Sequence, residues 1–183
     1  MAVKTFTTGE VLTAADTNTY LANSGLQYVS SGTFANAASF DVTGFSSTFD
    51  QYQLTMQIGA TTTSGTVTGV IYSGATARNV NYYGCQWYVS NASGSGVYGA
   101  RNNGANFAVT ISNQANPSLV NAWISGIGNG KFNINMQNMD NQSVYATMGG
   151  YSNYAATNSF DMIRFSSTNN VTGSWNLMGV RKG

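Results

Sequence analysis

Six carboxylates are the only side chains in this sequence that could work as a paired acid and base: Glu10, Asp16, Asp41, Asp50, Asp140 and Asp161. A glycosidase needs two of them, about 5 Å apart if retaining and about 6.5–9.5 Å apart if inverting. Their contexts argue against that use. Glu10 and Asp16 lie in an N-terminal stretch where Asp16 fits a helix-capping pattern, Asp50 begins a strand pattern, and Asp161 stands between Phe160 and Met162. The rest of the catalytic inventory is nearly empty. There is no histidine, Cys85 is the one cysteine, and 7% of residues are charged, against about 25% in ordinary soluble domains. Acid–base and covalent catalysis draw on the very types that are scarce here. Cys85 has no partner for an internal disulfide and no ligand cluster around it, so it reads as a small buried apolar residue. A transition-metal site is not expected without His or clustered Cys, and no carboxylate-dense loop resembles a calcium site. No cofactor is expected, and the chain reads as a binding or structural module and not as an enzyme.

The residues suited to binding are neutral. The densest aromatic cluster is Tyr82-Tyr83-Gly84-Cys85-Gln86-Trp87-Tyr88. As one strand it places Tyr83, Cys85, Trp87 and Val89 on one face, expected to be core, and Tyr82, Gln86 and Tyr88 on the other. Tyrosine combines an apolar body with a polar tip, so that second stripe suits either a partner subunit or a stacked sugar. Tyr145, Tyr151 and Tyr154 form a looser group. Val97 to Gly104 lacks both periodicity and bulk and is expected to be an exposed loop, the usual carrier of binding groups. The candidate receptor contacts are therefore Tyr82, Tyr88, Arg101 and Asn102, around a loop from about Ser90 to Asn106. Arg78, Arg101, Lys131 and Arg164 are scattered and the net charge is +1, so nothing argues for nucleic acid. No stretch approaches the ~20 apolar residues of a membrane helix, and no apolar run of signal-peptide length follows Lys4. Membrane insertion is not expected, and synthesis in a cytoplasm is. With so little charge, contacts should be insensitive to salt, and low colloidal repulsion favours self-association.

The elements that must position these groups fall into two parts. Thr13-Ala14-Ala15-Asp16 fits a capping box, which predicts a short helix over Ala14 to about Asn23 with Gly25 as its stop. Val3 to Leu12 is expected to be extended. So short a helix is marginal alone, so residues 1–25 read as an arm that docks on something. From Leu26 onward the rhythm is that of strands. Tyr52 to Ile58 and Phe132 to Gln137 alternate apolar and polar residues, one face for a core and one for solvent. Further strands are predicted at Gln27–Phe34, Ser39–Val42, Val67–Tyr72, Tyr82–Val89, Asn106–Ile111, Leu119–Ile127, Val144–Gly149, Phe160–Phe165 and Ser174–Val180. Turn signals separate them at Thr63-Ser64-Gly65, Ser93 to Gly96, Asn102-Asn103-Gly104, Asn129-Gly130, Asp140-Asn141 and Thr168-Asn169-Asn170. Asn129-Gly130 is the strongest hairpin signal. Nine to eleven short strands predict an all-β antiparallel β-sandwich over residues 26–183, jelly-roll-like in type.

The opening Phe6 to Leu21, with Gly9, Val11-Leu12-Thr13-Ala14-Ala15-Asp16 and Asn18, resembles a segment at the start of many tailed-phage virion proteins, among them minor tail and fibre-type proteins. Phe49-Asp50-Gln51-Tyr52 resembles a strand of the β-sandwich domains that follow such segments, and Trp175 to Arg181 resembles their closing strand. The resemblance covers about a quarter of the chain. It implies that the N-terminal segment, with Phe6, Val11, Leu12, Tyr20 and Leu21 as its apolar contacts, attaches the protein to the particle. It further implies that the sandwich projects, commonly as a homotrimer. The function so implied is that of a virion structural protein of tail-fibre or tail-appendage type, in assembly and host-surface adhesion. Its partners would be other virion proteins and a host glycan or protein. The alternative is a capsid decoration protein that stabilises the head. The family supplies no catalytic residues.

Overall fold

Alternation decides the architecture. The computed structural model describes residues 7–11, 13–16, 25–60, 65–78, 82–90, 94–98, 104–112, 117–127, 131–139, 143–152 and 160–181. Among the described residues eleven strands follow one another: β1 (Leu26–Thr43), β2 (Phe49–Ala60), β3 (Gly65–Ser73), β4 (Thr76–Ala77), β5 (Tyr82–Ser90), β6 (Gly94–Tyr98), β7 (Phe107–Ser112), β8 (Ser118–Ser125), β9 (Lys131–Met139), β10 (Ser143–Ser152) and β11 (Met162–Arg181). In β2, Tyr52, Leu54, Met56 and Ile58 are buried, and in β9 Phe132, Ile134 and Met136 are buried. Their polar neighbours point outward, as the period-two pattern predicts.

Every pairing is antiparallel, and the strands form one curled sheet in the order β4-β3-β11-β2-β8-β9-β10-β5-β6, with β1 on β11 and β7 on β3. β11 is the spine. One edge pairs with β1 from Leu26↔Val180 to Thr43↔Met162. The other edge pairs with β3 over Met162–Ser167 and with β2 over Val171–Arg181. The sheet therefore branches at the middle of β11. β7 continues from β3 and also packs on β2, β5, β8, β9 and β10, so the curl closes over a shared core. Phe107 of β7 is at its centre, 5.6 Å from the Phe132 ring, 5.8 Å from Tyr82 and 6.3 Å from Phe165. Gly69 makes this possible, because a Cβ there would overlap the Phe107 ring.

Two expected interruptions are not chain reversals. Gln27–Phe34 and Ser39–Val42 belong to one strand, and so do the parts of β11 on either side of Thr168-Asn169-Asn170. The register shifts around Ala37 instead, with Asn36 at φ 50°. Asn170, from the expected turn, and Thr172 beyond it satisfy this bulge: the Asn36 backbone N–H donates to Thr172 Oγ1 at 3.0 Å, and Asn170 Nδ2 donates to Asn36 Oδ1 at 3.0 Å. Asn and Thr serve bulges and turns for the same reason, a short polar side chain that replaces a ladder partner. Similarly, Gly94 to Gly96 is strand, paired with Ser90 to Tyr88, where a turn was expected. β8 pairs with β9, with Ser125 opposite Asn133; the turn expected at Asn129-Gly130 lies outside the described residues.

The arm departs from its expected extended form. The Glu10 N–H donates to the Thr7 carbonyl at 3.0 Å, and Gly9 has φ 87°, a β-turn with glycine at the position that demands positive φ. Helix α1 spans Ala14–Asp16, and the rest of the expected helix, to Asn23, lies outside the described residues. Residues 7–11 and 13–15 are exposed.

Candidate functional site

The expected receptor stripe is reversed at its start. Tyr82 is 1% exposed, packs on Tyr151 at 5.4 Å between ring centroids, and its hydroxyl accepts the Ile71 backbone N–H at 2.8 Å. Burial raises its phenol pKa above the ordinary value, outweighing that hydrogen bond. Tyr82 is thus a core residue and not a surface contact. Tyr83, expected in the core, is 48% exposed, and Cys85 on the same face is half-buried. Both faces of this strand are aromatic, so periodicity separates them without saying which is inner. Tyr88 pairs through its backbone with Tyr145 and Gly96; its side chain lies outside the described set, as do Arg101 and Asn102. Of the attachment residues, Val11 is 78% exposed, while Phe6, Leu12, Tyr20 and Leu21 lie outside the described residues.

Two of the described carboxylates, Asp41 and Asp161, have structural duties. Asp41 on β1 receives a two-pronged bond from Arg164 on β11, at 2.7 and 2.8 Å, and this bond holds the Arg164 guanidinium well above its ordinary pKa. Both partners are partly exposed, so the pair is worth about 0–1 kcal/mol. Asp161 accepts the Gly74 N–H at 3.0 Å, closing the turn between β3 and β4. Tyr52, in the segment resembling phage sandwiches, donates its hydroxyl to the Ser46 carbonyl at 2.7 Å and accepts the Ser46 N–H at 2.6 Å. It pins a loop. Among the described residues, no three His, Cys, Asp or Glu side chains gather as a metal site, and no helix is long and apolar enough to cross a membrane.

What the topology does assemble is the outer face of the sheet. Cross-strand register sorts its side chains into rows running across β11, β2, β8, β9 and β10. One row is Ser174, Gln57, Leu119, Met139 and Val144; the next is Asn176, Thr55, Asn121, Gln137 and Ala146. A third runs from Tyr28 on β1 through Met178, Gln53, Trp123 and Asn135 to Met148. A fourth is Val180, Gln51, Ser125, Asn133 and Gly150. None of these positions is charged. Trp123 is 41% and Tyr28 64% exposed, and Leu119, Met139, Val144 and Met148 are exposed as well. Between the first two rows lies a groove of about 570 Å³, and between the second and third a trough of about 390 Å³. Gln53 Nε2 donates to Asn121 Oδ1 at 3.2 Å across the rows. Alternation in β8 separates Asn121 and Trp123 from the core, but their neighbours are set by strand order and register, which no local pattern carries.

Compared with known proteins, the chain matches no family model and no curated sequence.

Proposed function

We propose that this chain is a non-enzymatic structural protein of a tailed-phage virion, of tail-fibre or tail-appendage type. In this reading residues 1–25 attach it to the particle, and residues 26–183 form a projecting jelly-roll-like sandwich. β3 and β7 are its short layer, laid over β2, β8, β9, β10 and β5. The protein acts as a homotrimer in assembly and host-surface adhesion, with other virion proteins and a host glycan or protein as partners. The observation that carries this reading is the broad outer sheet face, exposed, uncharged and rich in amides and apolar side chains. Such a face gives many weak neutral contacts, which copy number multiplies into avidity. The exposed turn at Thr7–Glu10, within the segment that resembles phage virion proteins, agrees with an arm that awaits a partner. The ties of Asp41 and Asp161 to Arg164 and Gly74 support a non-catalytic role.

Copy number per particle tests the proposal, measured by quantitative mass spectrometry of purified virions against the major capsid protein. A few copies in multiples of three support the tail position. Tens to hundreds of copies place the protein on the shell as a decoration protein, and absence from the particle overturns the virion reading.

A further inference from the structure

We infer that the outer face between Tyr28 and Trp123 is a platform for an uncharged, extended oligosaccharide lying across the strands. This names the ligand for the adhesion proposed above and rests on that reading only for its biological setting, since the purified chain binds the sugar whether or not it sits on a particle.

Three observations meet on this face. The first is spacing. Neighbouring strands stand about 4.8 Å apart, so a row across the sheet offers one side chain per strand at roughly the advance of one pyranose unit in an extended β-linked chain. Tyr28 and Trp123 lie in one row, separated by β11 and β2, three strand steps or about 14 Å. The two exposed rings can stack on the first and fourth sugars of such a chain. Polypeptide advances about 3.3 Å per residue and drifts out of phase with these rows. It also has no ladder to join here, because β2 and β8 are paired on both edges.

The second observation is chemical type. Beside the Trp123 trough stand Asn121, Asn135 and Gln137, each carrying both a donor and an acceptor, which suits hydroxyl groups that also do both. The Gln53–Asn121 bond uses Gln53 Nε2 and Asn121 Oδ1. It leaves the Gln53 carbonyl and the Asn121 amino group for the sugar. The third is charge. The four rows contain no ionised side chain, so nothing there offsets the desolvation of a carboxylate or phosphate. A neutral glycan fits, and a sialylated or phosphorylated one does not.

The test is titration of the full chain with two neutral tetramers, of β-1,4-linked glucose and of β-1,4-linked N-acetylglucosamine, with a sialylated tetrasaccharide as control. Saturation-transfer NMR on the sugar protons is the readout, which does not depend on Trp123 as a reporter, and sedimentation is run in parallel. The expected result is saturable binding of a neutral tetramer, with a Kd on the order of 1 mM and little salt dependence. Trp123→Ala should weaken it about tenfold, or about 1.4 kcal/mol, and Tyr28→Ala less. Leu119→Ala, in the groove beyond the amide row, should leave binding unchanged. Both ring positions are exposed, and circular dichroism of each variant confirms folding. Absence of saturation with either tetramer overturns the inference, as does binding indifferent to Trp123→Ala or preference for the sialylated control. So does an oligomer that Trp123→Ala dissociates in the absence of sugar binding, which would make the face an interface between copies. Copy number on virions is independent of these results, so failure here leaves the virion reading standing.

Discussion

At the scale of single residues, Tyr82 carries the sharpest lesson. Its hydroxyl accepts the buried Ile71 N–H, so Tyr82→Phe keeps the ring packing but orphans that donor. The expected loss is about 1–3 kcal/mol at neutral pH, read from urea midpoints. The pH dependence follows from the raised phenol pKa, whose main cause is burial. In the folded chain Tyr82 stays protonated while the unfolded tyrosine ionises near its ordinary value of 10.0. Its contribution is therefore complete below about pH 10 and is lost as pH rises beyond that value. The stability gap between wild type and Tyr82→Phe should hold up to about pH 10 and narrow as pH rises above it; a gap that stays constant above about pH 10 would contradict the assignment. The cluster around Tyr82 was visible in the sequence, but its inner face was not. What selects Tyr82 over Tyr83 is the distant pair Phe107 and Tyr151 and the N–H of Ile71, all brought there by topology.

At the scale of elements, local patterns read best where one face is apolar and the other polar. Tyr52 to Ile58 of β2 and Phe132 to Gln137 of β9 alternate without exception and lie where the alternation predicts. β1 and β11 read as broken because Asn and Thr residues interrupt them, and those same residues hold a bulge within continuous strands. Asn36 is the point of strain, with φ 50° in a non-glycine residue. Asn tolerates that conformation through its short polar side chain, whereas Ala meets a cost of roughly 1–2 kcal/mol. Asn36→Ala should also lose the bond from Asn170. Asn36→Gly keeps the backbone conformation, so it should be more stable than Asn36→Ala. In an ordinary strand the order is reversed, with glycine worse than alanine by roughly 0.5–1 kcal/mol. Chemical denaturation of the two variants decides the matter, and alanine proving the more stable would remove the bulge as a strained site.

At the scale of the whole molecule, β11 makes the two branches of the sheet one folding unit. Its first third holds β3 and, through β3, β7; its last half holds β2 and the strands beyond. β1 spans both parts of it. Neither branch can leave without stripping partners from β11, and Phe107 joins the branches a second time through the core. A sandwich of two separable sheets, as the alternation alone suggests, could melt in two steps. The branched sheet should instead unfold in one cooperative transition, with far-ultraviolet dichroism and tryptophan fluorescence coincident and calorimetric and van't Hoff enthalpies equal. Its refolding should be slow, in the millisecond-to-second range or beyond, because most contacts join residues far apart in sequence. Val171 is buried in β11 and pairs with both Ala37 and Ala60. Val171→Ala should lower the single transition without splitting it, by about 1–3 kcal/mol for the lost side-chain burial. Two resolved transitions in the wild type or in this variant would mean that the branches fold independently and that β11 only links them.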